Sequence, residues 1–132
     1  MANIDYGYTR TLTGTSFEDA LERVQDALSE QGFGILTEID VKATLKKKLD
    51  VDFDKYRILG ACNPQLAHQA LQHEEMIGLL LPCNVVVTED DDGNAVVGIL
   101  KPRQMFSVVD VEGMDDVVEE ADQRLQSALE AL

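Results

Sequence analysis

The chain lacks tryptophan and has few of the residues that mark specialised classes of protein. Its 132 residues include only two cysteines and three prolines. Two cysteines are too few for a disulfide framework, and Cys62 and Cys83 are not spaced as a CxxC pair. Basic residues are also scarce, since 11 lysines and arginines face 25 aspartates and glutamates, for a formal net charge of −14. We therefore expect the chain to bind neither nucleic acid nor anionic membranes, because both attract basic proteins.

The sequence also has no long apolar run and no signal segment. Its apolar stretches are shorter than the roughly 20 residues that span a bilayer. Residues 1–6 show neither the basic part nor the apolar part of a secretory signal. A length of 132 residues, of which 45% are hydrophobic, suits one globular domain over 1–132. The expectation is a cytoplasmic single-domain protein whose two thiols are free and buried.

The first part of the chain alternates between the periodicities of strands and helices. Residues 6–12 alternate in the manner of a strand. Thr15 and Glu18 then have the spacing of a capping box, at the start of a helix that Gly32 ends. A second strand is predicted over 33–39. Asp40 is predicted to cap a short helix through Leu49, with an inner face formed by Val41, Leu45 and Leu49.

The middle of the chain is predicted to contain a third strand and a third helix. The strand begins at Tyr56 and ends near Cys62. Asn63 followed by Pro64 is typical of a helix start, because Asn caps free N–H groups and Pro suits the first helical position. Residues 77–82 are apolar and are broken by a proline, so we expect a buried segment that leads into the next strand.

The sequence pattern in the last part of the chain predicts a hairpin followed by helical segments. The β-branched segments 83–89 and 95–100 are joined by a turn that contains an Asp-Gly pair, which favours an antiparallel hairpin. A short helical turn over 102–109 precedes a last helix over 114–132. The alternating strands and the hairpin favour an α+β fold, with an antiparallel sheet that carries the two long helices on one face.

Three segments carry a resemblance to a known family. They are 32–40 (GFGILTEID), 58–64 (ILGACNP) and 80–85 (LLPCNV), and together they resemble the domain of unknown function 302 family along nearly the whole chain. The resemblance implies a fold like that of the TATA-binding protein: a curved antiparallel sheet of about five strands, two long helices on one face and short inserted helices. It also implies a homodimer. It implies no established activity, so any cofactor stays unknown, and the analogy with a DNA-binding fold carries no functional weight.

The two cysteines give the first candidate site. If the third and fourth strands are antiparallel neighbours, Cys62 and Cys83 lie at the same edge of the sheet, whereas parallel strands would separate them by roughly 20 Å. Each is followed by an asparagine, Asn63 or Asn84. Cys62 also precedes a helix N-terminus, a position that lowers the pKa of a thiol in some proteins. These residues predict a ligand pocket, or alternatively a thiol site for sulfur or redox chemistry.

Charged residues give two further candidates. Glu38 and Asp40 lie at alternate positions of one strand and are candidate paired carboxylates, although Asp40 also serves as a helix cap. Lys42 and Lys46 belong to a basic run that is a candidate patch for a small anion or an acidic partner. The simpler interpretation of the lysines is a solvated helix face that nearby aspartates balance.

No catalytic residue and no metal site is predicted. Two thiolates and His68 would lack a fourth zinc ligand, and their spacing matches no standard zinc pattern. Three hypotheses remain, in this order. The first is a small dimeric binding module with a pocket between 62–64 and 82–84. The others are a thiol-dependent protein, and an interaction subunit without a small-molecule site. The sequence leaves open whether the chain is an enzyme.

Overall fold

The strands form one antiparallel sheet in a computed structural model that describes residues 3–132. Met1 and Ala2 lie outside the described residues, so the signal-segment prediction falls partly outside them. Every neighbouring pair of strands is antiparallel, and the order across the sheet is β1-β2-β6-β5-β4-β3. The strands are β1 (Asn3–Ile4), β2 (Gly7–Leu12), β3 (Gly34–Asp40), β4 (Tyr56–Cys62), β5 (Cys83–Glu89) and β6 (Ala95–Leu100).

Helices separate most of the strands. Among the described residues, none of them combines the length and apolar character that a membrane crossing requires. They are α1 (Phe17–Glu30), α2 (Val41–Leu49), α3 (Pro64–His73), a 3₁₀ helix (Glu75–Leu80), α4 (Pro102–Met105) and α5 (Met114–Glu130).

Side-chain caps fix where the first three helices begin. Asp40 accepts a hydrogen bond from the backbone N–H of Ala43, and Asn63 accepts one from Leu66, as predicted. The predicted capping box at Thr15 is wrong, because the hydroxyl of Ser16 accepts the bond from Asp19. Thr15 and Ser16 both carry a hydroxyl that can cap a helix, and the backbone geometry places Ser16 at the N-cap position.

The long helices α1 and α5 pack together on one face of the sheet and bury its central strands. This arrangement confirms the predicted α+β class. Alternate residues of β5 and β6 are almost fully buried beneath the helices, and α3 packs against α5 beside them. The fully buried positions include Val85 and Val87 of β5, Ala95 and Val97 of β6, and Leu28 and Leu125 of the helices.

Two predicted buried segments are more exposed than expected. No residue of α2 is buried, and Leu49 is 65% exposed, because this helix contacts β3 and β4 at the margin of the sheet. The predicted buried segment 77–82 is mostly a 3₁₀ helix, in which only Ile77 is buried while Leu79 is 80% exposed. A 3₁₀ helix has three residues per turn, so the two turns of this one present few side chains to the core.

A buried carboxylate links β2, α4 and α5. Asp122 is fully buried, and its Oδ1 accepts a hydrogen bond of 2.8 Å from the hydroxyl of Tyr8. The backbone N–H of Arg103 donates to its Oδ2 at 3.4 Å, and Gln126 donates to the Tyr8 hydroxyl at 2.9 Å. Burial, together with the hydrogen bond and the charge of Asp122, raises the pKa of Tyr8 to about 12.

The raised pKa of Tyr8 predicts a loss of stability at high pH. The protonated phenol stabilises the fold below the ordinary tyrosine pKa of about 10, and this contribution is lost as the pH rises through 12. We expect the Tyr8→Phe variant to lose less unfolding free energy between pH 9 and 12 than the wild type, by on the order of 2 kcal/mol. Urea titrations at each pH measure this difference. Equal losses in the two proteins would contradict it.

Candidate functional site

The antiparallel register of β4 and β5 brings the two cysteines to one edge of the sheet. Ala61 lies opposite Cys83, so Cys62 at the end of β4 is beside the start of β5. Gly34 at the start of β3 lies opposite Cys62 on the other side. Both thiols are free; Cys83 is buried and Cys62 is half-buried. The predicted proximity of the cysteines is therefore correct.

Beside the cysteines lies an apolar recess of about 40 Å³. Its floor is the sheet edge, where Ala61 and both cysteines contribute. Helix α3 forms one wall with Leu66, Ala67 and Ala70, and α5 forms another with Met114, Val117, Val118 and Ala121. Leu81, Pro82 and Phe106 complete the lining, together with Phe33 and Asn63. The recess is therefore almost wholly hydrocarbon, and it suits apolar groups far better than charged ones.

The two asparagines of the predicted site have different positions. Asn63 is buried, and its side chain bonds the backbone N–H of Leu66 at 3.2 Å and the carbonyl of Gln31 at 3.4 Å. These bonds give Asn63 a clear structural task at the start of α3. Asn84 is exposed and lies opposite Gly60, on the face of the sheet away from α1 and α5. Asn84 is therefore beside the cysteines in sequence but absent from the lining of the recess.

The electrostatic environment of the thiols disfavours thiolate chemistry. Burial, and to a smaller extent the neighbouring Cys62, raise the pKa of Cys83 to about 11. Burial also raises the pKa of Cys62 above its ordinary value. The possibility that Cys62 has a lowered pKa because it precedes α3 therefore finds no support, since burial raises the pKa of this thiol.

The candidate carboxylates do not join the cysteines. Arg57 Nη1 lies 2.6 Å from Glu38 Oε1, and Arg57 Nη2 lies 3.3 Å from Asp40 Oδ2. Asp40 lies opposite Arg57, whereas Gly34 lies opposite Cys62 at the other end of β3. Six residues separate the two ends, a distance of about 20 Å along the strand. Their contacts are those of an ion pair at the sheet margin and of a helix cap.

The candidate lysines contact their own loop. Lys42 Nζ donates to the carbonyl of Phe53 at 2.7 Å. Lys46 Nζ lies 3.0 Å from Asp50 and 3.5 Å from Asp52. These exposed contacts match the interpretation of a solvated helix face, because neighbouring carboxylates offset much of the positive charge.

The described part of the chain contains no cluster of residues suited to metal binding. No group of three or more His, Cys, Asp or Glu side chains there is arranged to hold an ion. His68 is exposed on α3, and His73 lies against Gly113.

Sequence reasoning missed the walls of the recess and the buried carboxylate. Met114 and Val117 lie on the predicted last helix, but nothing local indicated that they face the cysteines. Asp122 follows Ala121 and precedes Leu125, so it lies within the same stripe of α5. A carboxylate on an apolar stripe was the available signal for a buried polar contact.

Comparisons with known proteins agree with this fold. The family described as "Domain of unknown function DUF302" matches residues 8–132. A solved structure, "Crystal structure of uncharacterized conserved protein DUF302 from Bacillus stearothermophilus", is 28% identical in sequence. The match covers 97% of this chain and 98% of that one, with a TM-score of 0.88. The comparison with curated proteins found no match.

The raised thiol pKa values predict slow alkylation of the folded protein. At neutral pH we expect iodoacetamide to modify Cys83 on the order of a hundredfold more slowly in the folded protein than in the urea-unfolded chain. In the folded protein, Cys62 should react faster than Cys83 but more slowly than an unfolded cysteine. Mass spectrometry of the Cys62→Ser and Cys83→Ser variants measures each thiol separately. A cysteine that reacts faster in the folded than in the unfolded chain would revive the thiol hypothesis.

Proposed function

The chain belongs to the family of the domain of unknown function DUF302, and on that premise we propose that it is a small dimeric binding module that holds the apolar end of a ligand. The proposed site is the recess between 62–64 and 82–84. The observation that carries the proposal is the hydrocarbon lining of this recess, which five separate parts of the chain build.

The size of the recess limits what it holds. A volume of about 40 Å³ accommodates on the order of three groups the size of a water molecule or a methylene. A ligand would therefore insert only a short alkyl or thioether end. Its polar part would stay at the rim, where the half-buried Cys62 offers a polar contact.

The raised thiol pKa values favour binding over thiol chemistry at this site. A nucleophilic or redox-active cysteine needs a substantial thiolate fraction, and burial opposes the thiolate at both positions. The same burial adds two polarisable sulfur atoms to an apolar surface. Cys62 and Cys83 therefore act as lining groups in this proposal.

Alkyl probes test the recess directly. We expect short alcohols from ethanol to hexanol to shift the methyl NMR signals of Ala61, Ala67 and Ala70, which line the recess. The Ala67→Leu variant fills the recess and abolishes these shifts. Ala27→Leu, at a partly buried position on α1, is the matched control and preserves them. The site would be refuted if the alcohols shifted the signals of Ala67→Leu as much as those of the wild type, or if they shifted no signal in the wild type.

Dimerisation is supported by the face of the sheet that α1 and α5 do not cover. The outward positions of β4, β5 and β6 carry no charged residue in the described strands. They are Tyr56, Ile58, Gly60, Asn84, Val86, Thr88, Val96, Gly98 and Leu100. Two copies that each carry a net charge of −14 repel one another. Contact through an uncharged face therefore has the smallest electrostatic cost.

Substitutions on this face test the dimer. Val86 lies opposite Ile58 and Gly98 in the middle of the face, so Val86→Lys would bury a charge in the interface. We expect about tenfold or greater weakening of self-association in sedimentation equilibrium. Val51→Lys, the same change at an exposed loop position, is the control and leaves association unchanged. A monomeric wild type, or equal association of the two variants, would refute the dimer.

A further inference from the structure

A separate apolar groove of about 480 Å³ lies between the 3₁₀ helix and the segment that precedes α5. It shares no lining residue with the recess beside the cysteines. Two chain segments contribute its apolar side chains, which are Met76, Leu79 and Leu80 from the 3₁₀ helix and Val108, Val109 and Val111 from the second segment.

Several apolar side chains of this groove are largely exposed to solvent. Leu79 and Val108 are each 80% exposed, and Met76 is 62% exposed. Single apolar side chains at a surface are ordinary, but contiguous groups of them mark sites of interaction. Burial of apolar surface is favourable, so a partner that covers these three side chains gains free energy of binding.

The charge around the groove selects the kind of partner. Its lining includes Glu74 and Asp110 and no basic residue, and Glu75 and Glu112 follow in the same segments. A second copy that docked groove to groove would bring these carboxylates together, which costs free energy. Methionine and branched aliphatic side chains beside carboxylates are complementary to a segment with leucines on one side and lysines or arginines on the other.

We propose that this groove binds a basic amphipathic segment of another protein. The apolar side chains of the segment would cover Leu79, Val108 and Met76, and its basic side chains would face Glu74 and Asp110. This site goes beyond the proposed ligand recess and the proposed dimer face, and it depends on neither.

The backbone beside the groove holds it in shape. Gly113 has a φ of +86°, and a Cβ atom at this position would lie within 3.0 Å of three ring atoms of His73. The segment before α5 therefore packs directly on the end of α3, and the positive φ at this position favours glycine. A groove that is already formed saves the partner part of the cost of ordering it.

A leucine–lysine peptide tests the groove. The probe is a synthetic amphipathic peptide of these two residues with a single tryptophan, and its fluorescence reports on the peptide alone because the protein has no tryptophan. We expect a blue shift on titration with the wild type. The Leu79→Ser/Val108→Ser double variant should bind at least tenfold more weakly. Its net charge is unchanged, so general attraction between a basic peptide and an acidic protein stays the same.

Matched variants distinguish binding in the groove from binding elsewhere on the surface. Leu36→Ser/Leu49→Ser removes two leucines that are 68% and 65% exposed outside the groove, and it should bind the peptide as the wild type does. Asp110→Asn should weaken binding two- to threefold at low salt. Circular dichroism and thermal melting verify that each variant is folded.

Three results would overturn the proposal. Equal affinity of the wild type and the groove variant would mean that the peptide binds only through general charge. Self-association that the groove variant abolishes would assign the groove to a second copy of this chain. Binding to phosphatidylcholine vesicles that the groove variant abolishes would assign it to a lipid surface.

Discussion

The buried carboxylate of Asp122 is the interaction on which the placement of the helices depends. It lies on α5 and is bonded by Tyr8 from β2 and by the backbone of Arg103 from α4. A buried charge is stable only while its partners stay in place, so these contacts fix the three elements relative to one another. Helix α5 then supplies a wall of the recess beside the cysteines, and the segment between α4 and α5 forms one side of the acidic-rimmed groove. Both candidate surfaces therefore depend on one buried side chain.

Most of the fold was predictable because its signals are local. Asp40 and Asn63 cap their helices as expected, and the Asp-Gly turn gives the hairpin of β5 and β6. The wrong predictions concern which apolar residues are buried. Leu49 continues an apolar pattern, but α2 lies at the margin of the sheet, where no layer covers it. A periodic pattern shows which side of an element is apolar; whether a neighbour buries that side depends on the rest of the chain.

The same distinction applies to the candidate site. The proximity of Cys62 and Cys83 followed from strand direction alone, since antiparallel neighbours join the end of one strand to the start of the next. The chemical character of the thiols did not follow. Burial raises the pKa of both thiols, and part of that burial comes from residues more than twenty positions away in sequence, such as Met114 and Val117. Glu38 and Asp40 likewise pair with Arg57, a partner that sequence separation concealed.

The irregular margin of the sheet at β3 has a consequence for behaviour at high concentration. The register shifts between Ile35 and Thr37, and Leu36 at this bulge is largely exposed. Towards the other end of β3, Glu38 and Asp40 pair with Arg57 of the neighbouring strand β4. A bulged and charged margin is a poor template for an incoming strand, because hydrogen-bonding groups lose their even spacing and charge penalises stacking. This margin therefore resists the addition of strands from other copies, which is the step by which amyloid fibrils grow.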